Sequence, residues 1–341
     1  MRALLVRLSA IGDVVHTLPA LAALHRHGYE AGWVVEPPAR PLLEGHPFLS
    51  QVAAAPAARA FRGGAAWATL RELRRQQYDV ALDFQGLWKS AAWARLSGAK
   101  RVMGYAPGGR REPLSALLAH ERVALPPDLP HVIDKNLALL RLLGIEAVGA
   151  RDFPLPPSGA EAARVETALT ASRLHDFVIL NPGGGWASKL WPPESFSELA
   201  RGLRERGLIP LVTFGPGEEA LAGRVVSASL GAAAPSFPTT LLEYVELARR
   251  ARLVVAADTG PLHIACALGT PVVGLFGPTD PARNGPFSPK DLVVRRAPSC
   301  APCHRRRCPI HDGVMRQIPP AAVLEAALRR LGRSGPESLA V

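Results

Sequence analysis

Several short stretches of this 341-residue chain combine residue types that could handle an anion, a sugar or a metal. The first is Asn181-Pro182-Gly183-Gly184-Gly185-Trp186-Ala187-Ser188-Lys189. It follows the apolar run Phe177-Val178-Ile179-Leu180, which reads as a buried strand, and precedes a helical pattern over 194–206. Its glycines admit a close backbone approach. Ser188 and Lys189, with the unpaired N–H groups of the next helix start, suit a phosphate. A glycine-rich turn with a solvated lysine has the same spacing, so the surroundings must decide. In the second stretch, Asp258-Thr259-Gly260-Pro261-Leu262-His263, a strand ends, the chain turns, and Pro261 falls in the first turn of a helix. That is an anion site with a carboxylate beside it. A phosphate has no use for the carboxylate, whereas sugar hydroxyls donate to it well.

Three further stretches carry weaker signals. Gly215-Pro216-Gly217-Glu218-Glu219-Ala220 has the G-x-G-x-x-A spacing of a dinucleotide loop. A proline separates its glycines, however, and no acid follows about 20 residues on to meet a ribose. A nicotinamide site is therefore excluded. Glu218 or Glu219 is either a nucleoside contact or a first-turn carboxylate facing the helix dipole. Near the start, Ser9-Ala10-Ile11-Gly12-Asp13 follows an apolar strand over 3–8, and Asp13 opens a helix predicted over 14–25. Asp13 is an N-cap or a general base, with His16 the rival base. Finally, Cys300-x-x-Cys303-x4-Cys308, with His304 and His311, has zinc-binding residue types. A loop of free thiols fits that loose spacing as well. The chain has no D-x-D pair, no P-loop and no G-x-S-x-G elbow.

The elements that must position these residues alternate along the chain. Short strands, several apolar on both faces, are separated by amphipathic helices such as 67–77 and 131–143. That pattern is α/β, with doubly wound parallel sheets. The proline- and glycine-rich segment 149–160 reads as a linker between two halves of the same architecture. Residues 1–157 form one predicted domain and 158–319 the other, with a last helix near 320–332 that could pack on either. Two such halves leave a cleft, and ligands of open α/β sheets bind at the carboxyl ends of strands. Both Asp13 and Lys189 belong at such ends.

The formal net charge of +11 is shared by both halves, with no basic tail or aromatic-interleaved stripe. Nucleic acid is a weak reading on that ground; anionic substrates or an anionic membrane face fit better. Only five of the 40 basic residues are lysine, so arginine counts carry little functional weight. Arg7 and Asp13 interrupt the apolar N-terminus, which reads as a first strand rather than a signal peptide. No apolar run approaches the roughly 18 residues of a membrane span. Four cysteines in such a chain suit a reducing, cytoplasmic compartment.

Together these motifs resemble the ADP-heptose:lipopolysaccharide heptosyltransferases of glycosyltransferase family 9. The matching residues are Leu8-Ser9-Ala10-Ile11-Gly12-Asp13-Val14-Val15-His16-Thr17-Leu18-Pro19, Asp83-Phe84-Gln85-Gly86-Leu87-Trp88-Lys89-Ser90-Ala91, the 181–192 loop, 258–267, and Gly274-Leu275-Phe276-Gly277-Pro278-Thr279. The form of 83–90 is more similar to heptosyltransferase I than to II. The resemblance covers residues 2 to about 331. It implies a GT-B fold, two Rossmann-like domains facing a cleft, and an inverting transferase that needs no metal or other cofactor. By the same resemblance, Asp13 is the base, Lys189 neutralises the donor diphosphate, Asp258 holds the heptose, and Thr259 and Gly260 meet phosphate. The donor ADP-heptose would also be met by Gly183, Gly184, Ser188, Glu218, Glu219, Pro261 and His263. Gly12, Lys89 and Arg110 would meet the acceptor, a lipid-linked inner-core saccharide of the Kdo-lipid A type. A monomer working at the inner membrane face follows.

Two departures stand out: Ala187-Ser188 replaces the adjacent threonines often found in the family, and Gly313 follows His311-Asp312 where a further cysteine is common. Two rivals stay open, a transferase with another nucleotide sugar or acceptor, and a non-catalytic nucleotide-sugar-binding module.

Overall fold

Apolar runs too short for helices become parallel strands here, buried on both faces. The computed structural model describes residues 1–56, 64–303, 305–308 and 313–333. The chain divides into two units, Met1–Pro157 and Ser158–Val341. The first carries β1 (Arg2–Val6), β2 (Glu30–Val35), β3 (Leu49–Ala54), β4 (Val80–Asp83), β5 (Arg101–Tyr105) and β6 (Glu121–Val123). Its helices are α1 (Ile11–Val15), α2 (Leu18–Arg26), α3 (Ala65–Arg75), α4 (Trp88–Leu96) and α5 (Val132–Leu139). The sheet order is β3-β2-β1-β4-β5-β6, and every pairing is parallel. Consecutive residues of a strand face opposite sides, yet Leu4, Leu5 and Val6 are all fully buried. Helices therefore cover both faces, as a parallel sheet requires. From β1 the order runs outward to β2 and β3 on one side; β4 then returns to the other side of β1. The strand order reverses between β1 and β4.

The second unit repeats this plan. Its strands are β7 (Phe177–Asn181), β8 (Ile209–Val212), β9 (Ala234–Pro235), β10 (Leu253–Ala257), β11 (Val272–Phe276) and β12 (Leu292–Arg295). Its helices are α6 (Gly159–Ala171), α7 (Pro193–Arg204), α8 (Glu219–Ala228), α9 (Leu241–Arg250), α10 (Gly260–Leu268), α11 (Pro281–Asn284) and α12 (Pro320–Arg330). The order β12-β11-β10-β7-β8-β9 is parallel throughout and reverses between β7 and β10. These two parallel six-stranded sheets with their helices form the α/β architecture of the GT-B type.

Three sequence expectations shift. The helix predicted over 14–25 is two, α1 and α2, because in an unbroken helix Pro19 could not donate and its ring would clash with the carbonyl of Val15. Ala10, not Asp13, is the N-cap of α1; Asp13 is its third residue, and its Oδ2 accepts from the Ala10 N–H at 3.3 Å. The edge strands β6 and β9 left no periodic signal because each is only two or three residues long and half exposed. The final helix, which could have joined either half, packs in the second unit. Val323 and Ala327 of α12 join the cluster of Phe196, Leu199 and Leu203 from α7. Gly202 leaves room for Leu324, which a Cβ would meet at 2.6 Å. Trp191 donates its indole N–H to the Ile318 carbonyl at 3.0 Å.

Helix α7 follows the Lys189 loop directly and anchors it. Its apolar residues Phe196, Leu199, Ala200 and Leu203 recur at the spacing that gives one helix face, and all are buried. Phe196 meets Trp191 edge to face, with ring centroids 4.7 Å apart. Phe196→Ala should lower unfolding free energy by about 3–5 kcal/mol in denaturant titrations, as buried aromatic truncations do. An unchanged midpoint would show that α7 does not depend on this contact.

Candidate functional site

In the second unit the site is built where strand order reverses, at the carboxyl ends of β7 and β10. Lys189 ends a short 3₁₀ turn, Ala187–Lys189, in the loop after β7. Asp258 is the residue after β10. The Lys189 ammonium donates to Asp258 Oδ2 at 2.6 Å and to the Asp258 carbonyl at 3.0 Å. Asp258 is buried, and its other oxygen accepts from His263 Nε2 at 3.1 Å and from the Asn284 side-chain amide. His263 lies one turn into α10, and Asn284, also buried, ends α11. Burial alone would raise the Asp258 pKa. The His263 hydrogen bond and charge, with Lys189, outweigh it and hold the carboxyl well below the usual carboxylate range. Trp186 flanks the ammonium, 4.8 Å from ring centroid to Nζ.

The glycines of the same loop serve close contacts. A Cβ on Gly183 would strike the Glu218 carboxylate at 1.9 Å, and one on Gly184 would strike the Thr259 methyl at 2.8 Å. Glu218 precedes α8 and ties two loops together: Oε1 accepts from Gly184 N–H at 2.8 Å and Oε2 from Gly215 N–H at 2.9 Å. Its carboxylate is thus occupied by backbone, whereas Glu219 is exposed and accepts only a local contact from Gly217 N–H at 3.2 Å. Ser188 is also engaged elsewhere, its hydroxyl donating to the Arg305 carbonyl at 2.8 Å and its N–H to the Arg306 carbonyl at 3.1 Å. Thr259 caps α10 in extended conformation, with Gly260 and Pro261 in the first turn, as the spacing predicts. An ammonium beside such a helix start can neutralise an anion. Asp258, with both oxygens already taken by Lys189, His263 and Asn284, has the placement of a group that orients Lys189 rather than one turned toward a sugar.

The first unit has its counterpart at the carboxyl ends of β1 and β4. Arg7, immediately after β1, is buried; it donates to the Phe84 carbonyl and meets Asp13 Oδ1 at 2.5 Å. Gln85 Oε1 accepts from Leu8 N–H at 2.9 Å, so the two loops are stitched together. Asp13 remains about one-third exposed. Gly12 is buried inside α1. His16 is turned inward at 2% exposure, its ring 5.8 Å from that of His131 and its carbonyl accepting from Asn136 at 3.0 Å. Lys89, exposed in the first turn of α4, is paired with Glu36. Arg110 departs from the acceptor role expected of it. Its side chain is fully buried and holds Asp83 at 2.9 Å, the Tyr105 carbonyl at 2.5 Å and Ser115 Oγ at 3.1 Å. It braces the loop after β4 instead of facing out of it.

The sequence reading missed Arg7, Gln85 and Asn284. A cation directly at the end of an apolar strand was a usable sign for Arg7. Gln85 stands in the 83–91 motif without a role marked there, and nothing local marks Asn284; their partners lie 77 and 26 positions away. Of the candidate zinc ligands, His304 and His311 lie outside the described residues. Among the described residues no group of three His, Cys, Asp or Glu is placed to hold a metal. An open cavity of about 400 Å³ lies at the opposite, amino-terminal edge of the first sheet, lined by His25, Tyr29, Pro47 and Phe48 among others. It gathers none of the residues discussed above. No helix among the described residues is long and apolar enough to cross a membrane.

Comparisons with known proteins bear on this geometry. The sequence pattern of glycosyltransferase family 9 (heptosyltransferase) matches residues 66–312. Lipopolysaccharide heptosyltransferase 1 of Pseudomonas aeruginosa is 33% identical, over 90% of this chain and 87% of its own. The structure of E. coli heptosyltransferase WaaC with ADP superposes with a TM-score of 0.77 at 25% identity, covering 97% of this chain and 100% of that one. The same E. coli protein with ADP-2-deoxy-2-fluoro heptose gives a TM-score of 0.73 at 26% identity, covering 95% and 98%.

The Asp258 cluster has a pH signature. Its folded-state pKa is lowered, so the carboxylate stabilises the fold above its unfolded value of about 3.9 and loses that contribution as pH falls through the folded value. Urea midpoints of the wild type and Asp258→Asn should differ most near neutral pH and converge in acid. A difference that stays constant down to acid pH would refute the assignment.

Proposed function

The chain belongs to glycosyltransferase family 9, and from that premise we propose that it transfers heptose from ADP-heptose to the anionic, lipid-linked inner core of lipopolysaccharide, with inversion and without a metal. It is a glycosyltransferase, a heptosyltransferase of the lipopolysaccharide core; donor, stereochemistry and acceptor are the proposal. The observation that carries it is the Lys189 ammonium, fixed at the strand carboxyl ends by Asp258 beside the start of α10. The relatives' structures with ADP and an ADP-heptose analogue support the nucleotide-sugar donor.

The reaction breaks the bond from the anomeric carbon to the diphosphate oxygen and forms one from the same carbon to the acceptor oxygen, on the opposite face. The hydroxyl proton passes to Asp13. Arg7 holds Asp13 Oδ1, which leaves Oδ2, with its single long contact to Ala10 N–H, as the proton acceptor. A carboxylate suits the task because the hydroxyl acidifies only as the new bond forms. ADP departs with an added negative charge, met by Lys189 and by the N–H groups opening α10. The positive charge that meets it, which a divalent metal supplies in other transferases, here comes from a fixed ammonium. Asp258 acts by aiming Lys189, Thr259 and Gly260 present the helix start, and exposed Glu219 is the carboxylate for the nucleoside. Lys89, released from Glu36, serves an acidic group of the acceptor.

Incubation with ADP-heptose and Kdo-lipid A should release ADP and yield a product heavier by one heptose, undiminished by excess EDTA. Activity lost to EDTA and restored by Mg²⁺ would overturn the role of Lys189, as would Lys189→Ala turning over normally. That variant should lose roughly 10²–10³-fold in turnover, the scale of a lost transition-state charge contact.

Asp13→Asn should cut turnover by roughly 10²–10⁴-fold. It also leaves the buried Arg7 guanidinium without its carboxylate, so some loss of melting temperature is expected. The double variant Arg7→Met/Asp13→Asn should recover the melting temperature and stay inactive. Near-normal turnover in either would sink the base assignment.

A further inference from the structure

The first unit holds most of the exposed large apolar side chains among the described residues, and three of them fall together. Leu114 and Leu117 are 67% and 69% exposed, and Trp88, which opens α4, is 45% exposed. The two leucines belong to a 3₁₀ helix, Pro113–Leu118. With three residues per turn, positions i and i+3 eclipse, so both leucines project from one side. Between them Ser115 and Ala116 are buried. The segment is braced rather than loose. Ser115 Oγ donates to the Glu112 carbonyl at 2.7 Å and accepts from the buried Arg110, itself paired with Asp83. Glu112 accepts the Trp88 N–H at 2.6 Å, which sets Trp88 against the same segment and engages that carboxylate at a helix start.

The rim is cationic. Arg111 adjoins Glu112, and Arg95 lies seven positions after Trp88, on the same face of α4. Both are exposed, and among the described residues neither forms an ion pair. Single exposed apolar residues are ordinary on a protein surface; a rigid cluster with an unpaired cationic border is not. Leucine tips for the acyl boundary, an indole for the headgroup level and arginines for anionic lipid are the chemistry of an interfacial anchor. Trp88 follows β4 and is tied to Glu112 in the connection after β5, so the cluster starts from the strand edge that carries Asp13.

We propose that Trp88, Leu114 and Leu117, bordered by Arg95 and Arg111, form a docking surface for an anionic bilayer. Its use in the cell rests on the lipid-linked acceptor proposed above; binding to lipid does not.

The full-length chain should co-sediment with vesicles of phosphatidylcholine containing phosphatidylglycerol, bind phosphatidylcholine alone weakly, and come off as salt is raised. Leu114→Ser/Leu117→Ser, with an unchanged melting temperature, should bind the anionic vesicles at least tenfold more weakly. Arg111→Gln should weaken binding about fivefold on anionic vesicles only. With the acceptor dispersed in detergent the leucine variant should transfer sugar like the wild type, whereas with the acceptor in vesicles it should fall behind. Equal vesicle binding by wild type and leucine variant would overturn the proposal. So would a concentration-dependent dimer, seen by sedimentation velocity and abolished in that variant, which would give the face to a second copy of the chain. Failure of transfer in detergent by the wild type would instead strike the proposed function and leave the vesicle result standing.

Discussion

A charge taken out of water must be met by another charge or by several donors, and the second unit is arranged around meeting that demand at Asp258. Its carboxylate receives Lys189, His263 and Asn284 from three different loops or helices. Each donor fixes the element that carries it. The Lys189 loop, the first turn of α10 and the end of α11 are thereby held around one oxygen pair. The result is a lysine that is part-buried yet rigid, which a solvated lysine on a glycine loop would not be. Rigidity matters because a charge already in place does not reorganise as the reaction proceeds.

The first unit uses the same device with the signs exchanged. There the buried member is a cation, Arg7, and the group it presents is a carboxylate, Asp13. In both units the pair stands where strand order reverses, because adjacent loops diverge there and leave the carboxyl ends of two strands open. Parallel pairing puts every strand's carboxyl end on one edge, so a carboxylate and an ammonium arise from the same topology repeated.

Several polar residues turned out to hold loops rather than to face outward. Glu218, Ser188 and Arg110 bond to backbone carbonyls and N–H groups or to buried partners. Glycine-rich loops bring many backbone groups close together, and those groups need partners of their own. A carboxylate such as Glu218 can satisfy two of them and so becomes structural. Its neighbour Glu219, one position along and at the surface, keeps its charge free for other use.

Local pattern alone determined the α/β class, the division near residue 157 and the placing of Asp13, Lys189 and Asp258 at strand ends. Short apolar runs, helical periodicity and turn residues are properties of neighbouring positions, so they are legible in one dimension. The break between α1 and α2, just ahead of Pro19, belonged to that kind of information too, and a closer reading of the proline would have found it. Pairings over long separations were not legible. The strand end marks Arg7 but not its burial against Phe84, nothing near Asn284 points to Asp258, and nothing near Arg110 announces Asp83. Side-chain type states what a residue can bond to; only the packed fold decides which partner arrives, because burial removes water as the alternative and leaves the partner that the strand order has brought within reach.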